Sequence, residues 1–211
     1  MNDRLMKQVL AKLCGMSTII IMLAVLIFFA VVNGMNGINF LASENLSVIV
    51  NQASFLVIVG IGQAIVILTG GINLSMGAVM AFSSVLCGGM LLKESNMFIG
   101  VPIVLVLLTG AATGLLNGVM ITKLNIPPFI ATFAMMYTCR GLAWVYLRNR
   151  VLYPLNESFR QIAMGRLFKI GGFTVTVPML IAFLALLLFF WLLRFTNFGR
   201  KVYFTGANPV A

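Results

Sequence analysis

Histidine is absent from this sequence, and acids nearly so: four Asp and Glu stand against 14 Lys and Arg in 211 residues. The missing histidine removes the commonest general base and metal ligand of proteins. Charged residues of either sign make up only 9% of the chain, where a soluble domain carries about a quarter. A soluble fold so poor in charge could not clothe its surface, so part of the solvent must be lipid. Three cysteines, Cys14, Cys87 and Cys139, lie in or beside apolar runs and show no metal-ligand spacing. They read as small core residues. No G-x-x-x-x-G-K-[ST] phosphate loop occurs, so the chain is not expected to hydrolyse nucleotide itself. No catalytic residue, metal or cofactor is assigned, and the chain is read as a non-enzyme.

What the sequence has instead is apolar runs. Hydrophobic residues make up 61% of it, and crossing a bilayer takes a helix of about 20 residues. Six stretches qualify: 16–32, 46–69, 76–92, 97–122, 128–147 and 173–193. None contains Asp, Glu or Lys, and Arg140 is the one arginine inside them. The expected fold is therefore an all-α integral membrane protein, a polytopic helical bundle of about six spans. The first run follows a basic segment but is too long for a signal peptide, so it reads as a signal-anchor helix.

The net charge of +10 does not mark a nucleic-acid footprint, which would be a clustered stripe interleaved with aromatics. The basic residues flank apolar runs: Arg4, Lys7 and Lys12 before the first, Lys123 between two, and Arg194, Arg200 and Lys201 after the last. That is an interfacial pattern. Three basic residues precede the first helix and none follows it in 33–45, which places the N-terminus in the cytoplasm. Alternation then places the basic segment 148–172 outside. Summed over all loops, the basic residues divide almost evenly between the two sides.

Four motifs stand out. Gly70-Gly71-Ile72-Asn73-Leu74-Ser75-Met76-Gly77 interrupts a long apolar run. Paired glycines break a helix, and Asn73 and Ser75 can cap the next. It is either a tight turn at the membrane surface or a broken helix facing a cavity. Gly110-x-x-x-Gly114-x-x-x-Gly118 is a small-residue stripe of the kind that packs helices in lipid. Asn117 runs beside it and could serve packing or solute. Gln52 and Gln63, about three turns apart, share a face of the second span. Thr132, Met136 and Arg140 share a face of the fifth. Such groups bridge helices or line a wet path, and Arg140 is also placed to snorkel to the interface. The residues expected along a translocation path are Gln52, Gln63, Asn73, Asn117 and Arg140.

Three segments carry a resemblance: 68–77 above; Lys123-Leu124-Asn125-Ile126-Pro127-Pro128-Phe129-Ile130-Ala131-Thr132 with Arg140-Gly141; and 196–211, which begins Thr196-Asn197-Phe198-Gly199-Arg200-Lys201. In order and at this spacing, they resemble the permease subunits of bacterial ABC importers for simple sugars, the ribose, galactose and xylose group. The similarity runs from about Leu46 to the last residue. Two departures stand out. The family carries Asp where this chain has Asn73, and its members run about half as long again, so the chain looks like the first two-thirds of a permease.

The resemblance implies one transmembrane permease domain over 1–211 in the bacterial cytoplasmic (inner) membrane. It implies a cytoplasmic coupling segment over 194–211, with Gly199, Arg200, Gly206 and Asn208 at the docking site. The partners implied are an ABC ATPase subunit that binds the ATP, a second permease subunit, an extracytoplasmic sugar-binding protein, and membrane lipid. The competing class is a secondary carrier for a small polar solute. It would be expected to show an intramembrane acid or an internal repeat, and the sequence has neither.

Overall fold

The computed structural model describes residues 17–92, 97–148, 150–153 and 156–207. Their elements run in chain order as α1 (Ser17–Met35), α2 (Ser43–Leu68), α3 (Met76–Met90), α4 (Gly100–Thr122) and α5 (Pro128–Leu147). Then come α6 (Glu157–Met164), β1 (Arg166–Ile170), β2 (Phe173–Thr176), α7 (Val177–Phe195) and α8 (Asn197–Ala207). Helix dominates because lipid offers the backbone no partners, and a helix satisfies its own N–H and C=O groups. Helices α1, α2, α4 and α7 are long and apolar enough to cross a membrane. Helix α5 has 20 residues. Helix α3 has only 15, about 22 Å at 1.5 Å per residue, short of a hydrocarbon core of about 30 Å. Apart from one hairpin, this is an all-α polytopic membrane protein.

Local chemistry sets the boundaries. Pro128 opens α5 and Pro178 opens α7, where a missing N–H costs nothing. Asn125, which links α4 to α5, adopts positive φ, a conformation asparagine tolerates. Asn156 caps α6 by accepting a hydrogen bond from the Ser158 amide at 2.9 Å. The sixth span begins at Val177, not at Phe173 as expected. Residues Phe173–Thr176 instead form β2, paired with β1. The β-branched Thr-Val-Thr run favours strand, and Gly171 and Gly172, both at positive φ, turn the chain back. Segment 148–172 therefore holds a short helix and a strand rather than plain loop.

Two compact units divide the chain: Met1–Ile49 with Ile170–Thr174, and Val50–Lys169 with Val175–Ala211. In the first, Asn33 and Asn36 donate from Nδ2 to the carbonyls of Phe29 and Val32, 2.8 and 2.9 Å away. The second bond satisfies a carbonyl in the last turn of α1. Phe40 then stacks on Phe29 with ring centroids 6.1 Å apart, and the Thr174 amide donates to Ser47 Oγ at 2.7 Å.

In the second unit, α3 packs chiefly on α5 and next on α4. Ala78, Met135 and Cys139 form the core, covered by Val79, Phe82, Met120 and Met136. Small residues at this seam let the backbones approach, which suits lipid, where close packing replaces the hydrophobic effect. Helices α3 and α5 run in the same direction. Leu74, just before α3, bonds Thr132 near the start of α5. At the far end, a side chain on Gly89 would strike Tyr146 near the end of α5. Helix α8 turns back from α7 on Gly199, where a Cβ would collide with the Leu193 carbonyl. Among the described residues, the stripe Gly110, Gly114, Gly118 joins no helix pair: a Cβ on any of the three would meet nothing within 4 Å.

Candidate functional site

The site is built on the break between α2 and α3. Leu68 ends α2 and Gly70 takes φ +78°. The Gly71 amide donates to the Val66 carbonyl and the Gly70 amide to the Ile67 carbonyl, both at 2.9 Å. This paired arrangement is a Schellman termination, and it needs glycine at the left-handed position. The termination is itself a tight turn, and it ends α2 well before α3 begins at Met76.

Three helices close on the stretch that follows. Thr132 of α5 inserts its hydroxyl between two backbone groups of the break: Oγ1 accepts from the Leu74 amide at 3.2 Å and lies 3.2 Å from the Ile72 carbonyl. Its single proton also has the Pro128 carbonyl in reach at 2.8 Å. Asn73 Oδ1 accepts both the Ser75 amide, at 2.9 Å, and the Ser75 hydroxyl, at 2.8 Å. The Ser75 hydroxyl in turn accepts from Asn117 Nδ2 of α4 at 3.1 Å. Ser75, Thr132 and Asn117 are 1%, 2% and 8% exposed. The cluster carries no formal charge, so its hydrogen bonds do the work that ion pairs would do elsewhere. One atom stands out: Asn117 Oδ1 is buried and accepts no hydrogen bond from the described residues.

The five expected path residues are not all brought together. Asn73 and Asn117 meet through Ser75. Gln63 is partly buried, and its Oε1 is a second buried acceptor without a partner among the described residues. Gln52 is exposed on α2. Arg140 is exposed on α5, its guanidinium 6.0 Å from the ring centre of Tyr137 on the same helix. Thr132 and Arg140 share a side of α5, yet Thr132 joins the cluster and Arg140, about 12 Å along the axis, does not. Sequence reasoning took Ser75 only for a cap and Thr132 only for a neighbour of Arg140. Both are central, and the signal for each was a hydroxyl residue flanking the glycine break or the Pro-Pro turn.

Asn73 serves as an acceptor toward Ser75. A carboxylate could accept both bonds, so Asn73 and the Asp that the resemblance leads one to expect would serve this local turn alike.

In the coupling segment, Gly199 and Val202 are buried. A Cβ on Gly206 would fall on the Leu68 carbonyl oxygen, just before the break. Arg200 is exposed and donates to the Asn197 side chain, and Phe204 is 73% exposed. The two glycines thus face the bundle, whereas Arg200 faces away. Asn208 lies outside the described residues.

Over residues 45–211 the sequence matches the family described as branched-chain amino acid transport system, permease component. The chain belongs to this family. The ribose import permease protein RbsC of Escherichia coli (strain K12) is 33% identical over 192 residues, covering 90% of this chain and 58% of that protein. The fructose import permease protein FrcC of Rhizobium meliloti is 30% identical over 207 residues, covering 92% and 53%. The autoinducer 2 import system permease protein LsrC of Escherichia coli (strain SMS-3-5 / SECEC) is 30% identical over 187 residues, covering 89% and 52%. The chain spans a little over half the length of these relatives. No solved structure matches it. The family match covers all three motifs on which the resemblance rests and every residue of the polar cluster.

Proposed function

We propose that this chain belongs to the membrane-spanning permease subunit of an ABC importer, in the bacterial inner membrane, and forms part of the path for a neutral, polyhydroxylated solute. The observation that carries the reading is the uncharged cluster of Asn73, Ser75, Asn117 and Thr132, sealed between α3, α4 and α5 at a helix break. A sugar sheds water to pass, and each hydroxyl then needs a replacement partner, because a lost hydrogen bond costs about 1–3 kcal/mol in a dry site. Amides and hydroxyls both donate and accept, which suits an uncharged polyol. Relatives named for ribose and fructose import support that class of cargo.

ATP is bound by a separate subunit in this reading, and α8 is the element that meets it. Its inner face, Gly199 and Val202, is buried. Its outer face offers Arg200, Lys201, Tyr203 and Phe204, all exposed. Gly206 leans on the Leu68 carbonyl, so α8 touches the residue that leads into the break. A second permease subunit and an extracytoplasmic binding protein complete the assembly.

The test is uptake of radiolabelled D-ribose and D-fructose by proteoliposomes holding the complete transporter, with ATP inside or out. Uptake is expected only where ATP reaches the ATPase. Uptake without ATP, driven by an ion gradient, would overturn the reading in favour of a secondary carrier.

A further inference from the structure

We infer that the buried Asn117 side chain and the first turn of α3 together form a hydroxyl-binding subsite for the transported solute. The inference rests on the polyol reading above and goes further by assigning the atoms. The first-turn amides of a helix have no intrahelical acceptor. In α3 those are Met76, Gly77 and Ala78, since the first helical bond runs from the Val79 amide to the Ser75 carbonyl. The Ser75 side chain does not cap them, because its hydroxyl is turned to Asn73 Oδ1 at 2.8 Å. Among the described residues, the helix start therefore keeps free donors with the partial positive charge of the dipole.

The second observation is independent of the helix start. Asn117 is 8% exposed, and its amide is seated on Ser75, the residue preceding α3, by the 3.1 Å bond from Nδ2. Its Oδ1 is left without a donor among the described residues. Burying an acceptor in that state is costly, and a passing donor would relieve the cost. Donors at the start of α3 and an acceptor on Asn117 are thus linked through Ser75, with no ionisable group in the cluster. An anion would satisfy the amides but bring no proton for Oδ1. A cation would satisfy Oδ1 but offer nothing to the amides. A hydroxyl does both at once, accepting from an α3 amide and donating to Asn117 Oδ1. Such a group can come from a sugar or from water, and the subsite is assigned to the sugar.

The test uses the complete transporter in proteoliposomes, with D-ribose, its 2-deoxy and 3-deoxy analogues, and D-fructose as probes. Uptake is normalised to assembled complex. For each sugar, the Asn117→Leu rate is divided by the unmodified rate, so the binding protein's own preferences cancel. For ribose the variant is expected to lose about tenfold, within the range set by one neutral hydrogen bond, and for one deoxy analogue scarcely anything. An equal loss for all sugars means that water or helix packing uses the amide, and overturns the subsite while leaving the polyol reading standing. Undiminished ribose uptake overturns the subsite in the same way. If the unmodified transporter moves neither ribose nor fructose, the polyol reading falls and the subsite with it. Should Asn117→Leu fail to assemble, the smaller Asn117→Ala carries the same comparison.

Discussion

At the residue scale, Thr132 ties the break to α5 through one oxygen. That oxygen accepts from the Leu74 amide and lies within reach of the Ile72 carbonyl. Valine has nearly the same shape and neither function. Thr132→Val leaves the Leu74 amide unpaired in a nearly dry site, at a cost of about 1–3 kcal/mol. Thr132→Ser keeps the oxygen. Detergent-solubilised protein carrying Thr132→Val is therefore expected to melt several degrees lower, with Thr132→Ser restoring most of the loss. A lower melting temperature for Thr132→Ser than for Thr132→Val would show that the methyl, not the hydroxyl, holds the break. Gly70 is constrained from the other direction: at φ +78° an L side chain is strained.

At the element scale, α8 is amphipathic with its two faces assigned by contact. Gly199 and Val202 are buried and Gly206 abuts Leu68, while Arg200 and Phe204 are exposed. If α8 is the ATPase-docking helix, single cysteines at Arg200 and Phe204 should crosslink to the ATPase in the assembled complex, and cysteine at Val202 should not. Crosslinking at Val202 alone would invert the faces and sink the assignment. The α4 glycines make a contrast at the same scale. Their spacing promises a packed helix pair, yet among the described residues a Cβ on any of them would meet nothing within 4 Å. Sequence periodicity names a face that can be approached closely, not which partner approaches it.

At the scale of the whole molecule, contacts within the second unit define two ends. Leu68, Leu74, Ser75, Asn117, Thr132 and Gly206 are linked at one end. At the other, Asn51 accepts from Thr176 at 2.6 Å, and the Asn156 amide donates to the Leu91 carbonyl at 2.8 Å. Lys123 follows α4 at the first end, and Arg160 lies in α6, just past Asn156, at the second. If the N-terminus is cytoplasmic, as the charge before the first run implies, alternation makes the first end cytoplasmic and puts α8 on the side where an ATPase would dock. In intact cells, a membrane-impermeant thiol reagent is expected to label a cysteine placed at Arg160 and spare one at Lys123. The reverse pattern would overturn the orientation and the coupling role of α8 together.

The membrane class and most helix positions were legible in the sequence, because lipid imposes the strictest rules on composition: long apolar runs, charge at their edges, and glycine or proline where they stop. Five of the six expected runs became helices within a few residues of their expected bounds, and the glycine pair was legible as an interruption of the apolar run because glycine takes φ +78° without strain. The start of the sixth span was misread because hydrophobicity does not distinguish Phe173-Thr174-Val175-Thr176 as strand from the same residues as helix, and the turn at Gly171-Gly172 decided it. The candidate site was half legible. Intramembrane polar residues can be counted in a sequence, but their partners are 42 to 60 residues away. Only the packing of α3 between α4 and α5 decided that Ser75 and Thr132 join Asn73 and Asn117 while Gln52 and Arg140 do not. A side chain's type is local, whereas the acceptor it finds depends on which helices fold against it.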